Sequence, residues 1–286
     1  MRDSIGKFFI SALQIGTGSS LGREGPTVQI CAGIASRVGR LAGVSSQNLR
    51  RLLPVGAAAG IAAAFNAPIA AVTFTIEEVV GNLDQTVLSG VVVAAALAAI
   101  VERSVLGVHP VFAIPREYSL EHISSLLLYV ALGLVAAGLA LAFTESLLRV
   151  RLWFKGFSRL PRWAHPGLGG LLTGALAAIA FGSLGAQGVT GGGYETVSAA
   201  LAGKLAVTVL IPLCLMKLAA TVFSYSSGGA GGIFAPALFI GAMAGGAMGA
   251  LDMLVFHHSS ESLGRSRSSG WERSLRESFA RRLPRS

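Results

Sequence analysis

Of 286 residues, 52% are hydrophobic and only 13% charged, and the mean hydropathy of +0.65 leaves too little polar surface for a soluble fold. The 37 glycines follow no period of three, which excludes collagen, and with aromatic residues at 7% they point to helices packed through small side chains. Residues 257–286 carry seven arginines against three acids, a net +4 of the total +9; basic membrane proteins owe such an excess to their loops and ends, so no nucleic-acid partner is indicated.

In chain order, Met1, Arg2 and Lys7 precede the apolar run Phe8–Ile15, but no small-residue cleavage site follows, so a signal peptide is not expected. Two shorter runs, Phe8–Gly22 and Gly25–Ser36, flank the charged pair Arg23 and Glu24. Charge-free runs then recur at Leu52–Ile76, Gln85–Val101, Ile123–Thr144, Trp163–Tyr194 and Leu218–Leu251, near or above the roughly 20 residues that span a bilayer. Lys204 and Lys217 bracket a further apolar stretch of 12 residues. The pattern predicts an all-α, polytopic transmembrane protein of about eight to ten helical pieces.

Two spans are interrupted, at Asn66–Ala67–Pro68 and at Ser226–Pro236. Lipid tolerates such breaks only where the freed backbone faces protein or a cavity, and the resulting helix ends make ion sites. Arg149, Arg151, Lys155, Arg159 and Arg162 are expected to form a basic loop facing the cytoplasm. Small-residue spacings at Gly56 and Gly60, and at Gly241, Gly245 and Gly249, suit helix packing. The chain divides into a membrane domain, 1–256, and a tail, 257–286, in which nine serines and seven arginines with no apolar period predict disorder. That abrupt change of text is what a truncated or shifted reading frame would produce.

Cys31 and Cys214 stand far apart with no CxxC or histidine cluster, so neither a disulfide framework nor a metal site is indicated, and no cofactor is called for. Gly18-Ser19-Ser20-Leu21-Gly22 fits the G-x-S-x-G elbow of hydrolases, but an apolar helical run precedes it where a strand is needed. An enzyme is not expected.

The segment Gly22-Arg23-Glu24-Gly25-Pro26 carries the sharpest chemical signal. Pro26 suits the first position of a helix through Thr27, Val28 and Gln29, which puts Gly22, Arg23, Glu24 and Gly25 at its positive end. Backbone N–H groups there can hold an anion without a full positive charge, and Glu24 sets a carboxylate at the same spot. Gly231-Gly232-Ile233-Phe234-Ala235-Pro236 repeats the arrangement, with a second apolar helix expected over Ala237–Met248. Paired interrupted segments are the mark of inverted-repeat transporters.

GREGPTVQ from Gly22, AAAFNAPIAAVTFTIEEV over Ala62–Val79 and SSGGAGGIFAP over Ser226–Pro236 resemble, in order and spacing, the signature segments of the CLC chloride channel and transporter family. The resemblance covers about residues 4–255 and implies homodimers of helical subunits in a membrane, the bacterial inner membrane for this chain, with chloride and protons as substrates. It implies chloride bound at both helix ends, by Gly22, Arg23 and Gly25 and by Gly232, Ile233, Phe234 and Ala235, with the Ile233 and Phe234 amides as donors. Glu24 matches the gating glutamate of the family. Glu78 matches the inner glutamate that passes protons in exchangers, Lys7 a buried basic residue, and Arg23 a variable basic position that tunes the local potential. Proton-coupled exchange is the expected activity of an intact version; a passive channel and a truncated, non-transporting fragment are the alternatives. The family's GSGIP segment and a C-terminal tyrosine are not found here, so the chain looks like the middle of a transporter.

Overall fold

The computed structural model describes residues 2–81, 85–107, 112, 125–156 and 161–256; the expected tail, 257–286, lies outside the described residues. Ten α-helices occur among them: α1 (Arg2–Gly16), α2 (Glu24–Leu41), α3 (Ser46–Phe65), α4 (Pro68–Phe74), α5 (Gln85–Leu106), α6 (Ser125–Gly156), α7 (His165–Leu184), α8 (Tyr194–Leu201), α9 (Val207–Ser226) and α10 (Phe234–Phe256). A single π-helical turn, Thr75–Val80, continues α4, and a 3₁₀ turn, Arg162–Ala164, leads into α7. Five segments are long and apolar enough to cross a membrane: α5, most of α6, α7 with its 3₁₀ turn, α9 and the first part of α10.

The helices bury two apolar clusters. In the first, α3 packs between α2 and α5, around Ala58, Ile61, Ala62, Ala71, Val87, Val91 and Ala95. In the second, α9 meets α6, α7 and α10 around Leu210, Leu213, Phe239, Ile240 and Met243. The start of α10 touches α2. Small side chains set the α2–α3 spacing: a Cβ on Gly56 would stand 2.6 Å from the Cys31 carbonyl oxygen, and one on Gly60 would stand 3.0 Å from that of Thr27. The second glycine series behaves differently, since added Cβ atoms on Gly241, Gly245 and Gly249 would meet nothing within 4 Å.

The first break falls where expected. Asn66 ends α3 in the left-handed conformation (φ 51°), the only non-glycine with positive φ among the described residues, and Pro68 opens α4. Arg103 of α5 donates from Nε to Asn66 Oδ1 at 2.7 Å and holds the corner.

Other boundaries differ from the expectation. The helices of the two motifs start earlier, at Glu24 and at Phe234, so Pro26 and Pro236 lie inside their first turns. First-turn N–H groups have no acceptor within the helix, so a proline costs nothing at any of these positions. The basic segment is helical where a loop was expected: α6 runs on through Arg149, Arg151 and Lys155, with Arg149 paired to Glu145 at 3.0 Å, while Arg159 lies outside the described residues. Lys217 does not end a span either; α9 runs straight through it.

Gly56→Ala should lower the thermal unfolding midpoint in detergent, by an amount corresponding to about 1–3 kcal/mol, because a backbone oxygen occupies the space. Gly174→Ala in α7, where nothing lies within 4 Å, should leave it unchanged or raise it.

Candidate functional site

The two glycine–proline motifs meet. Gly22 and Gly232 exchange both backbone hydrogen bonds, at 2.8 and 2.7 Å, in the one isolated antiparallel bridge among the described residues. This bridge sets the first turn of α2 beside the first turn of α10, although the two lie more than 200 residues apart in sequence. Such an approach requires glycine: a Cβ on Gly25 would stand 3.1 Å from Gly232 Cα, and one on Gly232 would stand 2.8 Å from the Gly25 nitrogen.

Glu24 lies in the gap so formed. It is the first residue of α2, with Arg23 at the N-cap, and is only 5% exposed. Its carboxylate crosses to α10, where Oε1 accepts the N–H of Ala235 at 2.8 Å. Oε2 is buried with no hydrogen-bond partner among the described residues. The Ala235 N–H is an unpaired donor of the helix's first turn, and the macrodipole adds partial positive charge there, so a negative group is stabilised without a contacting cation. The amide that reaches the carboxylate is thus one residue beyond the expected pair, because α10 begins at Phe234 and turns the Ala235 N–H toward α2. Ile233 and Phe234 line the cavity in front of it.

That cavity, of about 970 Å³, is largely apolar and is lined by Glu24, Phe65, Phe74, Ile233 and Phe234, with Lys7, Glu77 and Tyr225 as polar wall residues. The Phe234 ring sits edge-on to Phe65 at 5.2 Å and to Phe74 at 6.0 Å, which ties the start of α10 to the α3–α4 corner. Lys7 is half-buried. Both acids of the π turn are exposed, and of the two only Glu77 lines the cavity. Adjacent helical residues cannot share a face, so the turn that presents one acid to the cavity aims the other elsewhere. Arg23 is exposed; its guanidinium lies 5.7 Å from the centre of the Tyr194 ring and donates to the Ala64 carbonyl at 3.3 Å, at the negative end of α3.

Sequence reasoning missed the supports of the site. Ser11 and Gln14 of α1 bind the backbone of Ala230, at 3.0 and 2.6 Å, and so brace the segment before α10. Ser20, the would-be hydrolase nucleophile, is fully buried, with Oγ 3.0 Å from Thr221 Oγ1 and its N–H on Ser224 Oγ, which in turn meets Thr173 Oγ1 at 2.8 Å. The helix α1 precedes it where the elbow needs a strand. A hint was present in the hydroxyl residues of α7 and α9 inside apolar runs, since hydroxyls at membrane depth seek partners.

The model of the voltage gated chloride channel family matches residues 1–266. The chain belongs to this family. Among curated relatives of this CLC member, a ClcB-like chloride channel protein of Ralstonia nicotianae is 37% identical over 251 residues, covering 85% of this chain and 56% of the relative. The H(+)/Cl(-) exchange transporter ClcA of Vibrio campbellii is 33% identical over 255 residues, covering 87% and 53%. Among solved structures, a slow cyanobacterial Cl-/H+ antiporter matches with TM-score 0.73 at 31% identity, over 85% of this chain and 56% of that one. A CLC-type fluoride/proton antiporter matches with TM-score 0.65 at 28% identity, over 84% and 57%. The chain spans about half the length of the curated relatives it matches. As expected from its composition, this CLC member is an α-helical, multi-pass membrane protein of a transporter family.

A Cβ on Gly22 would collide with the carboxylate of Glu24, whose atoms are its three nearest neighbours. Gly22→Ala should therefore push the carboxylate off the Ala235 amide, and Glu24→Ala should relieve the strain. A double-mutant cycle read by thermal unfolding should show a coupling of about 1–3 kcal/mol between the two positions.

Proposed function

We propose that this chain forms part of a proton-coupled chloride exchanger in which a permeating anion and the Glu24 carboxylate compete for one amide-lined position. The observation that carries this reading is the bond from the Ala235 N–H to Glu24 Oε1 at the first turn of α10. A helix end that stabilises a carboxylate stabilises a halide for the same reason. Protonating Glu24 removes its charge, weakens its hold on the amide and frees the position, which links proton uptake to anion entry. Gly22, Gly25 and Gly232 supply the room, the amides of Ile233, Phe234 and Ala235 face the anion, and Arg23 and Lys7 raise the local potential.

Glu78 is the proposed second proton carrier, and Glu77, on the cavity wall, is its neighbour on the same turn. The likeness to ClcA H(+)/Cl(-) exchange transporters and to the cyanobacterial Cl-/H+ antiporter supports exchange over passive conduction. Chloride and protons are the proposed substrates, the bacterial inner membrane the location and a homodimer the assembly; exposed apolar residues of α5 such as Val93, Leu97, Ile100 and Val101 are available to lipid or a second copy.

Purified protein in liposomes, with chloride efflux and external pH recorded together, tests the reading. Efflux with stoichiometric proton uptake is the expected result; efflux without it indicates a channel, and no efflux a non-transporting fragment. Substituting fluoride in the same assay fixes the anion preference, given the fluoride/proton antiporter among the structural relatives. Glu24→Gln, which removes the titratable group but keeps its shape, should abolish proton coupling while anion movement persists. Glu78→Ala should also uncouple protons; stoichiometric coupling retained in Glu78→Ala but lost in Glu77→Ala would move the role to Glu77.

A further inference from the structure

Lys217 is fully buried in the middle of α9, and no ion pair among the described residues involves it. Its Nζ instead directs its three N–H donors at four consecutive backbone carbonyls of the α7–α8 connection, which surround it: Gly188 at 2.8 Å, Val189 at 3.1 Å, Thr190 at 3.4 Å and Gly191 at 2.6 Å. Gly188 (φ 110°) and Gly191 (φ 58°) have the left-handed backbone that lets these carbonyls turn inward together. The ammonium also lies 5.0 Å from the centre of the Phe239 ring, on α10.

Carbonyl dipoles satisfy the hydrogen bonds of an ammonium without cancelling its charge, so the caged lysine in its protonated form is a positive centre inside the protein. Two elements link the cage to the Glu24 site. The Gly191 N–H donates to the Ser19 carbonyl at 3.0 Å, three residues before Gly22, and Phe239 belongs to the helix whose first turn holds the Glu24 carboxylate. With its donors consumed by carbonyls, the ammonium can attract an anion at the Ala235 amide but cannot ligate it, and direct ligation would hold a permeating ion too tightly.

Resting on the anion-site reading above, we infer that Lys217 is a positioning residue whose carbonyl-caged charge, set behind the Glu24 site, raises the affinity of that site for anions. A residue that merely clasped the loop would need hydrogen-bond donors and not charge, and that difference makes the inference testable.

Calorimetric titration of sodium chloride into the purified full chain in detergent, against sodium isethionate as blank, compares the wild type with Lys217→Gln, which keeps donors but loses the charge, and Lys217→Arg, which keeps both. Lys217→Gln should bind chloride several-fold more weakly, up to about tenfold, the scale on which one unit charge acts across a protein interior of effective dielectric constant about 20. Lys217→Arg should restore most of the affinity, and the loss should persist in the Glu24→Gln background, because the charge acts on the anion itself. Lys217→Met serves the same comparison if glutamine disrupts the fold. Wild-type affinity in the neutral variants, or an equal loss in Lys217→Arg, would overturn the inference. A wild-type chain that binds no chloride would sink the exchanger reading instead.

Discussion

A carboxylate buried at membrane depth must find a positive partner or lose its proton-free form, and here the partner is a helix end. Glu24 sits where the first turns of α2 and α10 converge, its Oε1 on the Ala235 amide and its backbone locked beside the Gly22–Gly232 bridge. Most of the surrounding architecture is what this convergence needs. Glycines remove every Cβ that would separate the two turns, α1 braces the Ala230 backbone, and the hydroxyls of Ser20, Thr221, Ser224 and Thr173 fasten the segment ahead of Glu24 to α9 and α7.

Two of the cations near the site, Arg23 and Lys217, have their donors directed at other groups. Arg23 is turned outward onto Tyr194 and the Ala64 carbonyl, and Lys217 is wrapped in carbonyls. What faces the cavity at the start of α10 is backbone, Ile233 and Phe234. A site built of dipoles with screened charges behind it attracts an ion and still releases it, which a contacting guanidinium or ammonium would oppose. The unpartnered Oε2 of Glu24 fits the same logic, since a carboxylate held by one bond leaves more easily than one held by several.

The breaks in the helices show how local sequence and packing divide the work. At Asn66 the corner is locally encoded, by an asparagine that tolerates left-handed backbone followed by a proline that opens a helix, and Arg103 only secures it. The acidic pair is different. The same two letters, Glu77 and Glu78, lie on a π-helical turn, both exposed, and the turn brings only Glu77 to the cavity wall. Functional sites often carry such turns, and the assignment follows from a single extra residue per turn.

Composition, charge-free runs and paired Gly–Pro interruptions were enough to establish a helical membrane protein, to locate both breaks and to single out Glu24 with its partner segment, because lipid forbids unpaired backbone and leaves few meanings for a glycine–proline break in an apolar span. Helix starts were misplaced by two residues at the first motif and three at the second, since proline is tolerated anywhere in the first turn and does not mark its first residue. Which amide meets Glu24, which of the adjacent acids meets the cavity, and that Lys217 is a caged charge inside a span were decided only by tertiary structure. Each of those depends on contacts between segments up to about 210 residues apart, and neither propensity nor periodicity carries that information.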